Sequence, residues 1–207
     1  FPSLRNREED YAETILNSFI KYSGIPVVSL ESATLHPLQS LTDIITMEES
    51  MIISGTKRPK VVLTWAPHIK ALPQCVANSF AQWVRAWGKA DFVIAHPQGY
   101  ALSEKFSGGA VVTHDQQDAL ENADFVYVKN WSSYEDYGAM PAVEENWMLD
   151  NAKLAVTNEA KIMHCLPVRR NVELSDEILD SPNSLVTIQG GNRIWAAQAV
   201  IAEILKR

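Results

Sequence analysis

The sequence predicts an α/β fold, a parallel sheet with helices on both faces. Short apolar runs at residues 60–65, 91–95, 124–128 and 161–166 alternate with segments of helical periodicity. That alternation builds parallel strands joined by covering helices. With 207 residues, 46% of them apolar, there is core enough for one large domain, or one domain and part of another. No internal repeat or low-complexity segment interrupts the pattern.

In order, residues 8–22 read as a helix, with Ile15, Phe19 and Tyr22 at helical spacing and Glu8, Glu9 and Asp10 in the first turn. Gly24 stops it. Residues 25–30 read as a short strand and 31–35 as a loop. Pro37 suits a first helical turn, and this helix is expected to run to about Met51. Residues 54–59 are a polar, turn-rich hinge. Strand 60–65 follows, then a two-proline loop, then a helix at 74–87 with Val76, Phe80, Trp83 and Trp87 on one face, capped by Gly88. Residues 91–95 form a strand and 96–100 a loop. Gly108-Gly109 turns into a strand at 110–113, followed by a short helix at 115–122. Strand 124–128 delivers Lys129 and Asn130 to the next loop. Residues 147–154 are weakly helical, 161–166 a strand and 174–180 a helical turn or two. Residues 185–188 read as a last strand. Gly190-Gly191 then leads to a final helix from Asn192 to Lys206.

Composition excludes several classes of function. Net charge is −7 and no Lys/Arg run exceeds two residues, which argues against nucleic acid or an anionic membrane as partner. No apolar segment reaches bilayer length, and no signal-peptide pattern opens the chain. Cys75 and Cys165 belong to no CxxC pair, as in a cytosolic protein with free thiols. The chain opens Phe1-Pro2-Ser3-Leu4, without Met, and enters a helix almost at once, as a cut inside a domain would.

Chemistry concentrates in Met163-His164-Cys165-Leu166-Pro167-Val168-Arg169-Arg170. Strand ends facing a crevice are where open α/β sheets bind ligands. Pro167 has no N–H to donate and ends the ladder. The carbonyls of Cys165 and Leu166 are thereby left to accept bonds from a ligand. Arg169 and Arg170 offer planar donor forks for carboxylate or phosphate. Taken alone, the same residues fit a buried strand, a satisfied histidine and two solvated arginines. A zinc site on Cys165 and His164 lacks ligand spacing. A Cys–His hydrolase would need its cysteine on an exposed turn rather than at a strand end. His36 and Gln39 lie one turn apart at a positive helix end and can reach one ligand. His68, His96 and His114 are isolated in sequence and read as structural or solvated.

His36-Pro37-Leu38-Gln39, then His164-Cys165-Leu166-Pro167, then Asn192-Arg193 form an ordered set. This set resembles the carbamoyltransferase family of aspartate and ornithine transcarbamylases. HPxQ and HCLP together are specific; either alone is weak. Residues 126–131, Arg169-Arg170, residues 30–34 and 64–68 resemble the N-acylornithine branch, and the N-succinylornithine type more than the N-acetylornithine type. A free α-ammonium would call for the family's Asp and Ser-Met-Gly loop; here Lys129-Asn130 stands instead. Lysine repels an ammonium but pairs with a carboxylate, which suits an acylated α-amine. The other reading of Lys129 is a solvated loop lysine.

The resemblance runs over essentially the whole chain, most weakly from Gln189 onward, where Gly190-Gly191 and Trp195 depart from the usual pattern. It implies a Rossmann-like lobe with a knotted backbone, threaded through a loop holding Pro67 and Pro73. Residues 1–35 would end a carbamoyl-phosphate domain, 36–57 would be a connecting helix and hinge, 58–188 an amino-substrate domain, and 189–207 a C-terminal helix returning to the first domain. The implied reaction is transfer of a carbamoyl group from carbamoyl phosphate to the δ-amine of an N-acylornithine in arginine biosynthesis, in a cytoplasmic homotrimer, with no metal or organic cofactor. The catalytic places fall to His36, Arg193 and Cys165. His36 and Arg193 would polarise the carbamoyl oxygen, while Gln39 and the carbonyls of Cys165 and Leu166 would hold its NH₂. Glu31 and Lys129 would orient the amino substrate, and Arg170, in preference to Arg169, would meet a carboxylate or phosphate. The family's Ser-Thr/Met-Arg-Thr-Arg phosphate loop is not among these residues. The resemblance places it before Phe1, so the 207-residue chain alone is expected to be inactive. The rival expectation is a catalytically incomplete chain with a binding or assembly role.

Overall fold

The computed structural model describes residues 2–206. Five parallel strands form one sheet, β1 (Lys60–Trp65), β2 (Asp91–Ala95), β3 (Val111–Thr113), β4 (Phe125–Lys129) and β5 (Lys161–Met163), in the order β3-β2-β1-β4-β5. The chain winds outward from β1 to β3, then returns to place β4 on the other side of β1. Thr64 lies opposite Val128 and Trp65 opposite Lys129 in that pairing. The gap between the carboxyl ends of β1 and β4 is therefore the switch point where such sheets bind ligands. Val61 to Trp65 and all of β4 are buried, so helices and loops cover both faces. Phe80 packs against Tyr127 across this core, with ring centroids 4.2 Å apart.

Helix α3 (Pro37–Ser54) begins at His36 and ends at Gly55, whose φ of +78° makes the left-handed cap that glycine adopts at least cost. Helix α4 (Cys75–Trp87) follows β1, and α9 (Val186–Leu205) closes the chain and packs along α3. The shorter helices are α5 (Glu104–Ser107), α6 (Gln116–Leu120), α7 (Asn151–Leu154) and α8 (Asp176–Leu179).

Four expectations are corrected. The helix expected at 8–22 is two, α1 (Arg7–Tyr11) and α2 (Thr14–Ser23), broken where Glu13 takes φ +53°. Residues 25–30 form no strand, because no backbone among the described residues pairs with them. The strand expected at 185–188 is the start of α9. Leu185 donates to the carbonyl of Ile162 at 2.8 Å, and Gln189 then donates to Leu185 at 2.7 Å, a helical bond that overrides the β-branched run. Gly190-Gly191 therefore sit inside that helix. Finally, β5 stops at Met163 rather than Leu166, because the next N–H, that of His164, goes to Oε1 of Gln189 at 2.9 Å. No helix among the described residues is long and apolar enough to cross a membrane.

Candidate active site

The loops leaving β1, β4 and β5 meet the start of α3 and one face of α9 around a cleft of about 520 Å³. Glu31, His36, Lys129, Cys165, Leu166, Arg169 and Arg193 all line it. Segments up to 162 residues apart in sequence, from Glu31 to Arg193, thus converge on the switch point. Lys70, Lys129, Arg169 and Arg193 face a single carboxylate, Glu31. A chain of net charge −7 has therefore gathered cations here, which favours anionic ligands.

His36 precedes the first turn of α3, and its buried Nδ1 has no hydrogen-bond partner among the described residues. Burial holds its pKa below the usual imidazole value, and Arg193 pushes the same way against Glu31. A neutral ring keeps one N–H, which can donate to a polarised oxygen. Lys129, at the end of β4, is 8% exposed and has no carboxylate within ion-pair distance among the described residues. Glu31 accepts the Cys75 S–H at 3.2 Å, and burial, ahead of Glu31 itself, pushes that thiol well up.

The turn after β5 owes its shape to His164. Its Nδ1 accepts the Leu166 N–H at 3.2 Å, so the proton sits on Nε2, which faces Oε1 of Glu173 at 3.3 Å. Burial lowers the His164 pKa, and Glu173 is also held low, with His164 the largest cause favouring its ionised form. The contact is thus a neutral imidazole donating to a carboxylate, fully buried and outside the cleft lining. Leu166 adopts φ +45° ahead of a cis bond to Pro167. No group among the described residues donates to the carbonyls of Cys165 or Leu166. Burial pushes the Cys165 thiol up, which suits a backbone acceptor rather than a thiolate nucleophile.

Two expected residues stand elsewhere. Arg170 is exposed and committed to Asp176 at 2.8 Å and Asp180 at 2.6 Å, whereas Arg169 lines the cleft, so the preference between them reverses. Gln39 is buried beneath the cleft rather than in its lining; its Nε2 donates to Asp43 at 2.7 Å and its Oε1 has no partner among the described residues. Sequence reasoning missed His68 and Lys70, which line the cleft, and Glu173, which also accepts the Arg169 N–H at 2.9 Å. His68 follows β1 as His164 follows β5, and that shared place at a parallel sheet's carboxyl edge was the available signal. Among the described residues no three His, Cys, Asp or Glu side chains gather to hold a metal. A second hollow, of about 350 Å³, lies over α2 and residues 27–33; the carboxylates of Asp10 and Glu13 there are spent on internal bonds.

Residues 74–204 match the family model for the aspartate/ornithine carbamoyltransferase Asp/Orn-binding domain. The N-succinylornithine carbamoyltransferase of Bacteroides fragilis is 50% identical over 208 residues, covering all of this chain and 64% of that protein. The N-acetylornithine carbamoyltransferase of Xylella fastidiosa is 32% identical, covering 99% of this chain and 66% of that protein. The chain thus spans about two thirds of the length of these relatives. Among solved structures, N-acetyl-L-ornithine transcarbamylase superposes with TM-score 0.90 at 32% identity, over 99% of this chain and 67% of its own. A variant of that enzyme, solved with carbamyl phosphate and N-succinyl-L-norvaline, gives 0.89 over 99% and 66%.

Proposed function

This chain belongs to the aspartate/ornithine carbamoyltransferase family, and on that premise we propose that it supplies the amino-substrate side of a carbamoyl transfer from carbamoyl phosphate to the δ-amine of an N-acylornithine. N-succinylornithine is favoured over N-acetylornithine by the 50% identity to the Bacteroides enzyme. The observation that carries the reading is the convergence of His36, Arg193 and the uncommitted Cys165 and Leu166 carbonyls with Lys129 and Arg169 in one cationic cleft.

His36 and Arg193 donate to the carbamoyl oxygen as charge grows on it. The two carbonyls, with Oε1 of Gln39 beneath, accept from the carbamoyl NH₂. Lys129 and Arg169 hold carboxylates of the amino substrate, and Glu31 orients its δ-amine. The amine nitrogen bonds to the carbamoyl carbon, the bond from that carbon to the phosphate oxygen breaks, and the amine's proton leaves with phosphate. Catalysis is positioning plus charge stabilisation. Family resemblance is also the support for a role in arginine biosynthesis, a cytoplasmic site and a homotrimer, and for reading residues 1–35 as the end of a carbamoyl-phosphate domain. The test is His36→Ala in the complete gene product. Loss of one oxyanion-type donor lowers turnover about 10²–10³-fold; near-normal turnover contradicts the role.

A further inference from the structure

The polar groups beneath the cleft are joined at one carboxylate. Asp43, on α3, is fully buried. Its Oδ1 accepts Nε2 of Gln39 at 2.7 Å and Nε2 of Gln189 at 2.7 Å. Oε1 of Gln189 in turn accepts the His164 N–H. An acceptor-only carboxylate meets amides through their NH₂ ends. Asp43 therefore dictates that Gln39 turns its carbonyl oxygen away, where it has no partner among the described residues, and that Gln189 presents its oxygen to the turn after β5.

Helical spacing extends these ties to the reacting groups. Gln39 lies one turn beyond His36, and Asp43 one turn beyond Gln39. Gln189 precedes Arg193 by one turn of α9, and His164 adjoins Cys165. One carboxylate is thus linked to all three segments that carry the transfer machinery. Packing alone gives no reason for it: among the described residues Oδ2 of Asp43 is buried with no partner at hydrogen-bond distance, and an apolar contact between α3 and α9 would avoid that desolvation cost.

We propose that Asp43 is a positioning residue, holding His36, the Cys165–Leu166 carbonyls and Arg193 in one arrangement through the amides of Gln39 and Gln189. The proposal rests on the carbamoyl-transfer reading. Burial pushes the Asp43 carboxyl up to about 7, against the lowering effect of Gln39, Gln189 and Tyr127. The other groups facing it are Tyr127 on β4, Cys165 and Arg193. Burial keeps Tyr127 and Cys165 neutral, so Arg193 is the charge that opposes protonation. As pH falls through about 7, the carboxylate loses its charge and both amide bonds weaken.

The experiment measures kcat and KM from about pH 5.5 to 9 for the complete gene product and for Asp43→Asn, with N-succinylornithine and carbamoyl phosphate. Asp43→Asn is expected to lower kcat about 10²-fold through misplacement, to leave both KM values within about threefold, and to abolish an acid limb near 7. Gln189→Leu lowers kcat in the same way, and it carries the test if Asp43→Asn does not fold. A folded Asp43→Asn that keeps its kcat, or keeps the acid limb, overturns the role while leaving the transfer reading intact. A parent protein inert towards every N-acylornithine overturns both.

Discussion

Arg169 donates its Nε to Nε2 of His68 at 3.1 Å, joining the turn after β5 to the loop after β1 across 101 residues of chain. With Nε2 accepting, the ring proton sits on Nδ1, which donates to the carbonyl of Lys70 at 3.0 Å. The imidazole therefore aligns a guanidinium whose terminal N–H groups remain available to a ligand. His68→Ala is expected to raise KM for the N-acylornithine about tenfold, the loss of about 1.4 kcal/mol, with KM for carbamoyl phosphate little changed. Steady-state kinetics in the complete gene product checks this.

Lys129, the last residue of β4, is a buried cation. Lys129→Ala removes a charge-assisted bond of about 1.5–3 kcal/mol, or roughly ten- to hundred-fold. The loss should fall on KM for the N-acylornithine and spare carbamoyl phosphate binding. An equal effect on both substrates would mean that Lys129 acts on the cleft as a whole.

Glu13 braces the loop between Glu31 and His36. Its carboxylate accepts Ser32 Oγ at 2.6 Å, Ala33 N at 3.1 Å, Thr34 N at 2.8 Å and Thr34 Oγ1 at 2.5 Å. Glu13 itself sits in left-handed backbone, at φ +53°. Glu13→Gln turns an NH₂ toward these donors and should cost about 1–3 kcal/mol. Faster hydrogen exchange at the Ala33 and Thr34 amides is the specific sign; unchanged exchange would show the brace to be dispensable.

Burial lowers the His164 pKa from 6.5. The unfolded chain then takes up the proton first, so this stabilisation is complete above 6.5 and is lost as pH falls below it. His164→Gln should therefore show a shallower decline of urea midpoint than the parent between about pH 7.5 and 5.5. The difference is bounded by about 1.4 kcal/mol per pH unit.

The sheet and the two signatures were legible because they depend on local pattern. Apolar runs such as Phe125-Val126-Tyr127-Val128 have no other use than a strand buried on both faces, and His36-Pro37 announces its own helix start. What was not legible depends on partners distant in sequence or on chain reversal. Arg169 and Arg170 are indistinguishable until α8 places Asp176 and Asp180 beside one of them. Which end of the Gln39 amide is committed cannot be read until Asp43 is seen to hold its NH₂. The Val186-Thr187-Ile188 run favours a strand on propensity and becomes helix because α9 has α3 to pack on. His68 can be placed after a strand from sequence, but only sheet topology brings it to Arg169.

The central claim is tested most directly by a colorimetric assay for ureido product, run on the complete gene product with carbamoyl phosphate and, in turn, N-succinylornithine, N-acetylornithine and free ornithine. The acylated substrates should be carbamoylated, N-succinylornithine best, and free ornithine poorly, because its ammonium would lie uncompensated near Lys129. Turnover of free ornithine as fast as its acylated forms would contradict the N-acylornithine assignment and make this an ornithine carbamoyltransferase.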